Sequence, residues 1–129
     1  MSAISSEALA RSIAGHADSK KAEDIVLLDM RDLVSYTDFL IICAARNERQ
    51  ARAIVDEVRV RIKAETALVP SGSDRMGEAD WILLDYLDCV LHVFTPEARD
   101  RYQLEDLWRE APRLELDLDP PAASSAASA

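Results

Sequence analysis

Six aspartates fall at or beside the ends of apolar runs: Asp29, Asp32, Asp38, Asp80, Asp85 and Asp88. Carboxylates that converge on one point hold divalent metals or exchange protons, and so serve phosphoryl or nucleotidyl transfer. Transfer sites of that kind follow a Gly-Ser step with an Asp-x-Asp pair, because alternate residues of a strand share a face. Gly72-Ser73 is present, but among the acids that follow it, Asp74, Glu78, Asp80 and Asp85, no two aspartates stand two residues apart. Five residues of separation put Asp80 and Asp85 on opposite faces of a strand. Solvated or capping acids at strand ends fit the pattern better. Neither a P-loop, G-x-G-x-x-G nor G-x-S-x-G occurs, and three glycines leave little material for a phosphate-cradling loop. His16 falls late in a helical stretch and His92 inside an apolar one; local spacing assembles no Ser/His/Asp or Cys/His set.

Cys43 and Cys89 lie in apolar runs without a second ligand at metal-like spacing. They read as small buried hydrophobes in a reducing compartment. The net charge is −9; residues 113–129 hold one arginine against three acids, so −7 belongs to the rest of the chain. Phosphate-tracking proteins draw their affinity from Lys and Arg. Here no basic stripe occurs and no aromatics alternate with basic residues, which disfavours direct sequence-specific nucleic-acid binding. A basic protein partner would instead be steered toward the surface. No apolar run approaches the roughly 18 residues of a membrane helix. The first residues also lack the basic-then-apolar order of a secretory signal. The expectation is a cytoplasmic protein with no membrane contact, no metal and no cofactor.

Positioning these groups falls to one domain, since 129 residues at 49% hydrophobic and 30% charged suffice for a single core. Ser5 or Ser6 starts a helix with Leu9, Ile13 and Ala17 on one face, ending near Asp18-Ser19. The runs EDIVLLDM (23–30) and TDFLIICA (37–44) read as strands covered on both faces. Ala51, Ile54, Val55, Val58 and Ile62 predict a helix over 47–65, with Asn47 as N-cap and Gln50 completing a capping box. Pro70, Gly72 and Gly77 punctuate a loop over 69–80, with a short strand near Leu68. Thr95, Pro96 and Glu97 start another helix, and Leu104, Leu107 and Trp108 share one face of a short turn or helix beyond it. Residues 1–113 are the expected domain. Residues 114–129 are the expected low-complexity tail, disordered for want of anything to bury. This order predicts an α/β domain with a mixed sheet and flanking helices.

Trp81 to Phe94, WILLDYLDCVLHVF, reads as two strands about a tight turn. Strands alternate faces, so the register decides which side chains meet. A turn centred on Leu87-Asp88 sets Asp85 opposite Val90, Leu83 opposite His92 and Trp81 opposite Phe94. Ile82, Leu84, Tyr86, Cys89, Leu91 and Val93 then form a core-like face. Trp81, Leu83, Asp85, Val90, His92 and Phe94 form the other, apolar but carrying an indole, an imidazole and a carboxylate. Three readings of that second face compete. Helices cover both sides and bond Asp85 and His92 inside; or the two are a catalytic pair, lacking a third group; or the face is an exposed hot spot for a protein partner.

Three blocks, KKAEDIVLLDMRDL, TDFLIICAARNERQARAIVDEV and WILLDYLDCVLHVFTPEARDRYQLEDLW, resemble the ribosomal silencing factor family, also called RsfS or iojap, in order and spacing. The match runs roughly from Glu7 to Pro112, and the third block is the most specific, with W-x-L-x-D-Y, H-V-F-x-P-E-x-R and L-E-x-L-W. The resemblance implies a nucleotidyltransferase-like α/β fold without the transferase's catalytic acids, hence no enzyme. It implies binding to ribosomal protein fourteen, a basic protein of the large ribosomal subunit, and a steric block of subunit association that represses translation. A homodimer of the isolated protein is implied as well. Trp81, Leu83, Asp85 and Tyr86 fall on the first motif, and His92 and Phe94 on the second; these six are the expected partner-binding residues. Trp81 would anchor and Asp85 would pair with Lys or Arg. The alternative is a nucleotidyl- or phosphoryl-transfer enzyme on the related fold. One position departs: Leu87 stands where the family usually has Gly. A two-residue primed turn needs φ > 0, which Leu adopts poorly. A longer type I loop about Leu87 and Asp88 is therefore expected, and an odd-length loop would shift the register.

Overall fold

The computed structural model describes residues 4–76 and 80–116; the tail expected to be disordered lies outside them from residue 117 on. Helix α1 (Ser6–Ser19) starts where the Ser5 hydroxyl accepts the Ala8 N–H at 3.1 Å, and it buries Leu9, Ala10, Ile13, Ala14 and Ala17. Strand β1 (Glu23–Asp29) turns back into β2 (Phe39–Ala44), every residue of which is buried. Helix α2 (Glu48–Thr66) lays Ala51, Ile54, Val55, Val58 and Ile62 on the core, the stripe its spacing predicts. Three antiparallel neighbours follow, β3 (Gly72–Met76), β4 (Trp81–Asp85) and β5 (Cys89–Phe94). Helices α3 (Pro96–Tyr102) and α4 (Leu104–Leu107) lead to β6 (Arg113–Leu114).

The strands order as β3-β4-β5-β2-β1-β6, one mixed sheet in which β2 and β5 alone run parallel. A parallel pair needs a long crossover, and α2, β3 and β4 supply it. Alternation then divides the side chains. Phe39, Ile41, Cys43, Ile82, Leu84, Leu91 and Val93 meet α1 and α2 on one face. Leu40, Ile42 and Phe94 point to the other, against Ala98 and Ala111. Cys43 and Cys89 are both free and buried, and burial pushes both thiols up to about 12.

Three expectations change. The strand sought near Leu68 lies later, as β3, inside the stretch read as a loop; Leu68 and Val69 are exposed links. Strand β3 carries no apolar alternation because what recruits it is the backbone edge of β4, whose N–H and C=O groups need partners. Strand β6, also not expected, bonds to Leu27 and Leu28 of β1 and packs Leu114 against the core. Leu107 is 70% exposed and does not share the face of Leu104 and Trp108. A single helical turn docks along one edge, and the pair four residues apart forms it.

Gln50 ties the helices together in a variant of the expected capping box. Asn47 Oδ1 accepts the Gln50 N–H at 2.8 Å, but Gln50 Oε1 reaches back to the Arg46 N–H at 2.7 Å. Its Nε2 donates to the carbonyls of Lys20 (3.1 Å) and Lys21 (3.0 Å), just beyond α1. Gln50→Ala removes these side-chain bonds and is expected to cost about 1–2 kcal/mol in urea unfolding. An unchanged midpoint would mean that water replaces them fully.

Candidate functional site

The β4–β5 hairpin holds the register that gathers its polar residues. Trp81 lies opposite Phe94, Leu83 opposite His92 and Asp85 opposite Val90. The longer type I loop does not form. Leu87 itself takes φ 72 in a two-residue connection. The Tyr86 N–H donates to the Cys89 carbonyl (2.8 Å) and the Asp88 N–H to the Tyr86 carbonyl (2.9 Å). Asp85 Oδ1 accepts the Leu87 N–H at 2.7 Å. Across the sheet the Asp88 carbonyl accepts from the Asp38 N–H (2.8 Å), the Phe39 N–H (3.0 Å) and the Thr37 hydroxyl (3.0 Å). These bonds hold a left-handed backbone that costs a leucine about 1–2 kcal/mol.

Helices α1 and α2 cover one face of the sheet, whereas α3 and α4 reach only β1, β2 and the end of β5 on the other. The remainder, over β4 and β5, is an open groove of about 550 Å³. Trp81, Leu83, Val90 and His92 form its floor, and Leu104 and Trp108 its wall. Tyr36, Asp85 and Leu87 stand at its rim, with Tyr36 68% and Leu87 62% exposed. Helices do not cover this part of the hairpin face, against the first of its three readings.

The floor is stiffened from within. Trp81 stacks on Phe94 with ring centroids 4.9 Å apart, and its Nε1–H donates to His92 Nδ1 at 3.0 Å. An acceptor at Nδ1 places the imidazole proton on Nε2. Burial drives the His92 pKa down to about 4, partly offset by the Asp85 carboxylate, so the ring is neutral at pH 7. Trp81 thus spends its one donor inside the protein and presents its ring as apolar surface.

Of the six expected contact residues, Trp81, Leu83 and Asp85 line the groove with partial exposure. His92 lines it but is buried, and Phe94 lies wholly buried as the support of Trp81. Tyr86 points the other way, into the core under α1 and α2; the alternation that unites Trp81, Leu83 and Asp85 excludes it. Its hydroxyl is buried without a hydrogen-bond partner among the described residues, and burial pushes its pKa up to about 12. The sequence reading did not place Tyr36, Leu40, Leu87, Leu104 and Trp108 in the site. An aromatic in the polar segment Ser35-Tyr36-Thr37 was the available signal for one of them.

The acids do not converge. Asp29 is clasped by Arg31 at 2.7 Å, which lowers its pKa; Asp80 pairs with Arg101 at 3.2 Å; Asp85 bonds the turn. Among the described residues no three His, Cys, Asp or Glu side chains come together in a metal-ligating group. No described helix is long and apolar enough to cross a membrane.

Residues 3–129 match the family described as ribosomal silencing factor during starvation. The chain is 34% identical over 114 residues to ribosomal silencing factor RsfS of Halalkalibacterium halodurans, covering 88% of this chain and 97% of that one. Against RsfS of Bacillus subtilis the identity is 36% over 104 residues, covering 81% and 87%. A crystal structure of a Chromobacterium violaceum protein has the same fold, with TM-score 0.78 at 26% identity over 90% of this chain and 95% of that one. The single α/β domain is therefore an architecture with solved relatives. The chain belongs to the ribosomal silencing factor family.

Two expectations follow from the burial of His92 and Tyr86. The folded protein holds His92 neutral down to about pH 4, while the unfolded chain takes up its proton near pH 6.5. Stability is therefore present above pH 6.5 and lost as pH falls toward 4, by about 3 kcal/mol in all. His92→Gln should flatten the fall in urea-unfolding free energy between pH 7 and pH 4.5; equal slopes would contradict the assignment. Tyr86→Phe removes an unsatisfied hydroxyl and should raise stability in urea unfolding by about 1 kcal/mol.

Proposed function

We propose that the protein is a ribosomal silencing factor that docks on the large ribosomal subunit through the groove over β4 and β5. It contacts basic ribosomal protein fourteen there and sterically blocks association of the subunits, repressing translation. What carries this reading is the groove floor: an apolar half-face of the sheet, left uncovered, with a pre-positioned indole at its centre. An aromatic already held by Phe94 and His92 loses little entropy on binding, the condition that favours a hot-spot anchor. Asp85 at the rim and a net charge of −9 suit a basic partner. The mechanism is occupancy in the cytoplasm and requires no covalent step. In isolation, two copies cover the same apolar surface as a homodimer, which subunit binding displaces.

Trp81→Ala should weaken binding to purified large subunits about thirtyfold and restore subunit joining on a sucrose gradient. Unimpaired joining at saturating wild-type protein would sink the proposal. Asp85→Asn keeps the acceptor for the Leu87 N–H but removes the charge. Its affinity should fall several-fold at low salt and approach wild type at high salt.

A further inference from the structure

We infer that Leu87, with Tyr36 beside it, forms a lip that inserts into an apolar recess of the protein surface docked in the groove. The inference rests on the docking reading above and extends it to residues outside the hairpin strands. Leu87 is unfavourable twice over: its φ is 72, a conformation side chains resist, and it is 62% exposed, so it adds little to the core. A strained residue persists only where its surroundings over-determine it. Here Asp85 Oδ1 holds the Leu87 N–H at 2.7 Å, and the Asp88 carbonyl is fastened to Thr37, Asp38 and Phe39. The same bonds tie the hairpin tip to the segment that carries Tyr36, which is 68% exposed and lines the same groove. Two large apolar side chains are thus presented outward on a rigid mount, next to a carboxylate.

A protein surface suits this lip better than nucleic acid. Asp85 and the exposed Asp88 flank Leu87, and two carboxylates there oppose phosphates while attracting Lys or Arg. The partner chemistry is therefore a basic protein face with an apolar recess, supplied by the large ribosomal subunit.

Leu87→Gly separates the two roles of the residue. Relief of the left-handed strain should raise the melting temperature by about 4 °C. Loss of the side chain should weaken binding to purified large subunits about tenfold, whereas Leu87→Met should bind within about twofold of wild type. Wild-type affinity in Leu87→Gly would overturn the inference, as would a loss confined to self-association, which would assign the lip to a second copy. Trp81→Ala, measured alongside, tells the two readings apart. Loss in Trp81→Ala with none in Leu87→Gly removes the lip and leaves the docking groove standing. Absence of wild-type binding removes both.

Discussion

Strands β2 and β5 run side by side in parallel, from Phe39 beside Cys89 to Ala44 beside Phe94, and most of the molecule answers to that pairing. Both strands are apolar on both faces, so each face needs a cover. The crossover between them is long enough to include α2, which lies with α1 over one face. The other face is left to short elements, α3 and α4, and they do not reach across it. The start of the pairing is set by a single atom, the Asp88 carbonyl, which accepts from Thr37, Asp38 and Phe39. The hairpin turn and the sheet register are consequently one problem with one solution.

From that solution comes the character of the groove. Because β5 is locked to β2, Phe94 is buried at the sheet centre, and Trp81 on the neighbouring strand lies flat on it. His92, too buried to ionise at neutral pH, takes up the indole N–H. The polar atoms that made the hairpin look like an active site are therefore engaged with one another and with the turn. What faces solvent is chiefly hydrocarbon, with Asp85 at its margin. If a partner docks there, as proposed, a surface so composed would recognise it by shape and charge, and its stiffness would lower the entropy lost on binding.

Much of this was legible in the residues. The cap at Ser5, the stripe on α2 and the helix start at Thr95 depend on neighbours a few positions away, and all three form where the chain spells them. Tyr86 shows where motif and physics diverge. It belongs to the W-x-L-x-D-Y block, yet simple alternation already assigned it to the core side, and there it lies. Leu87 shows the opposite failure. Its side chain argues against a tight turn, but hydrogen bonds from residues 85 and 88 outweigh that preference. Strand β3 left no apolar signal because the backbone edge of β4, not side chains, recruits it; β6 is only two residues long, and its Leu114 packs against the core.

The sequence by itself determined the α/β class, the long helices and the division of the hairpin into a core face and a mixed face. Those features follow from periodicity and capping, which act over a few residues. Only the tertiary structure decided that the mixed face stays open, and that Tyr36, Leu104 and Trp108 border it. Whether a sheet face is covered depends on where distant elements come to rest, and no local pattern in Trp81 to Phe94 records that.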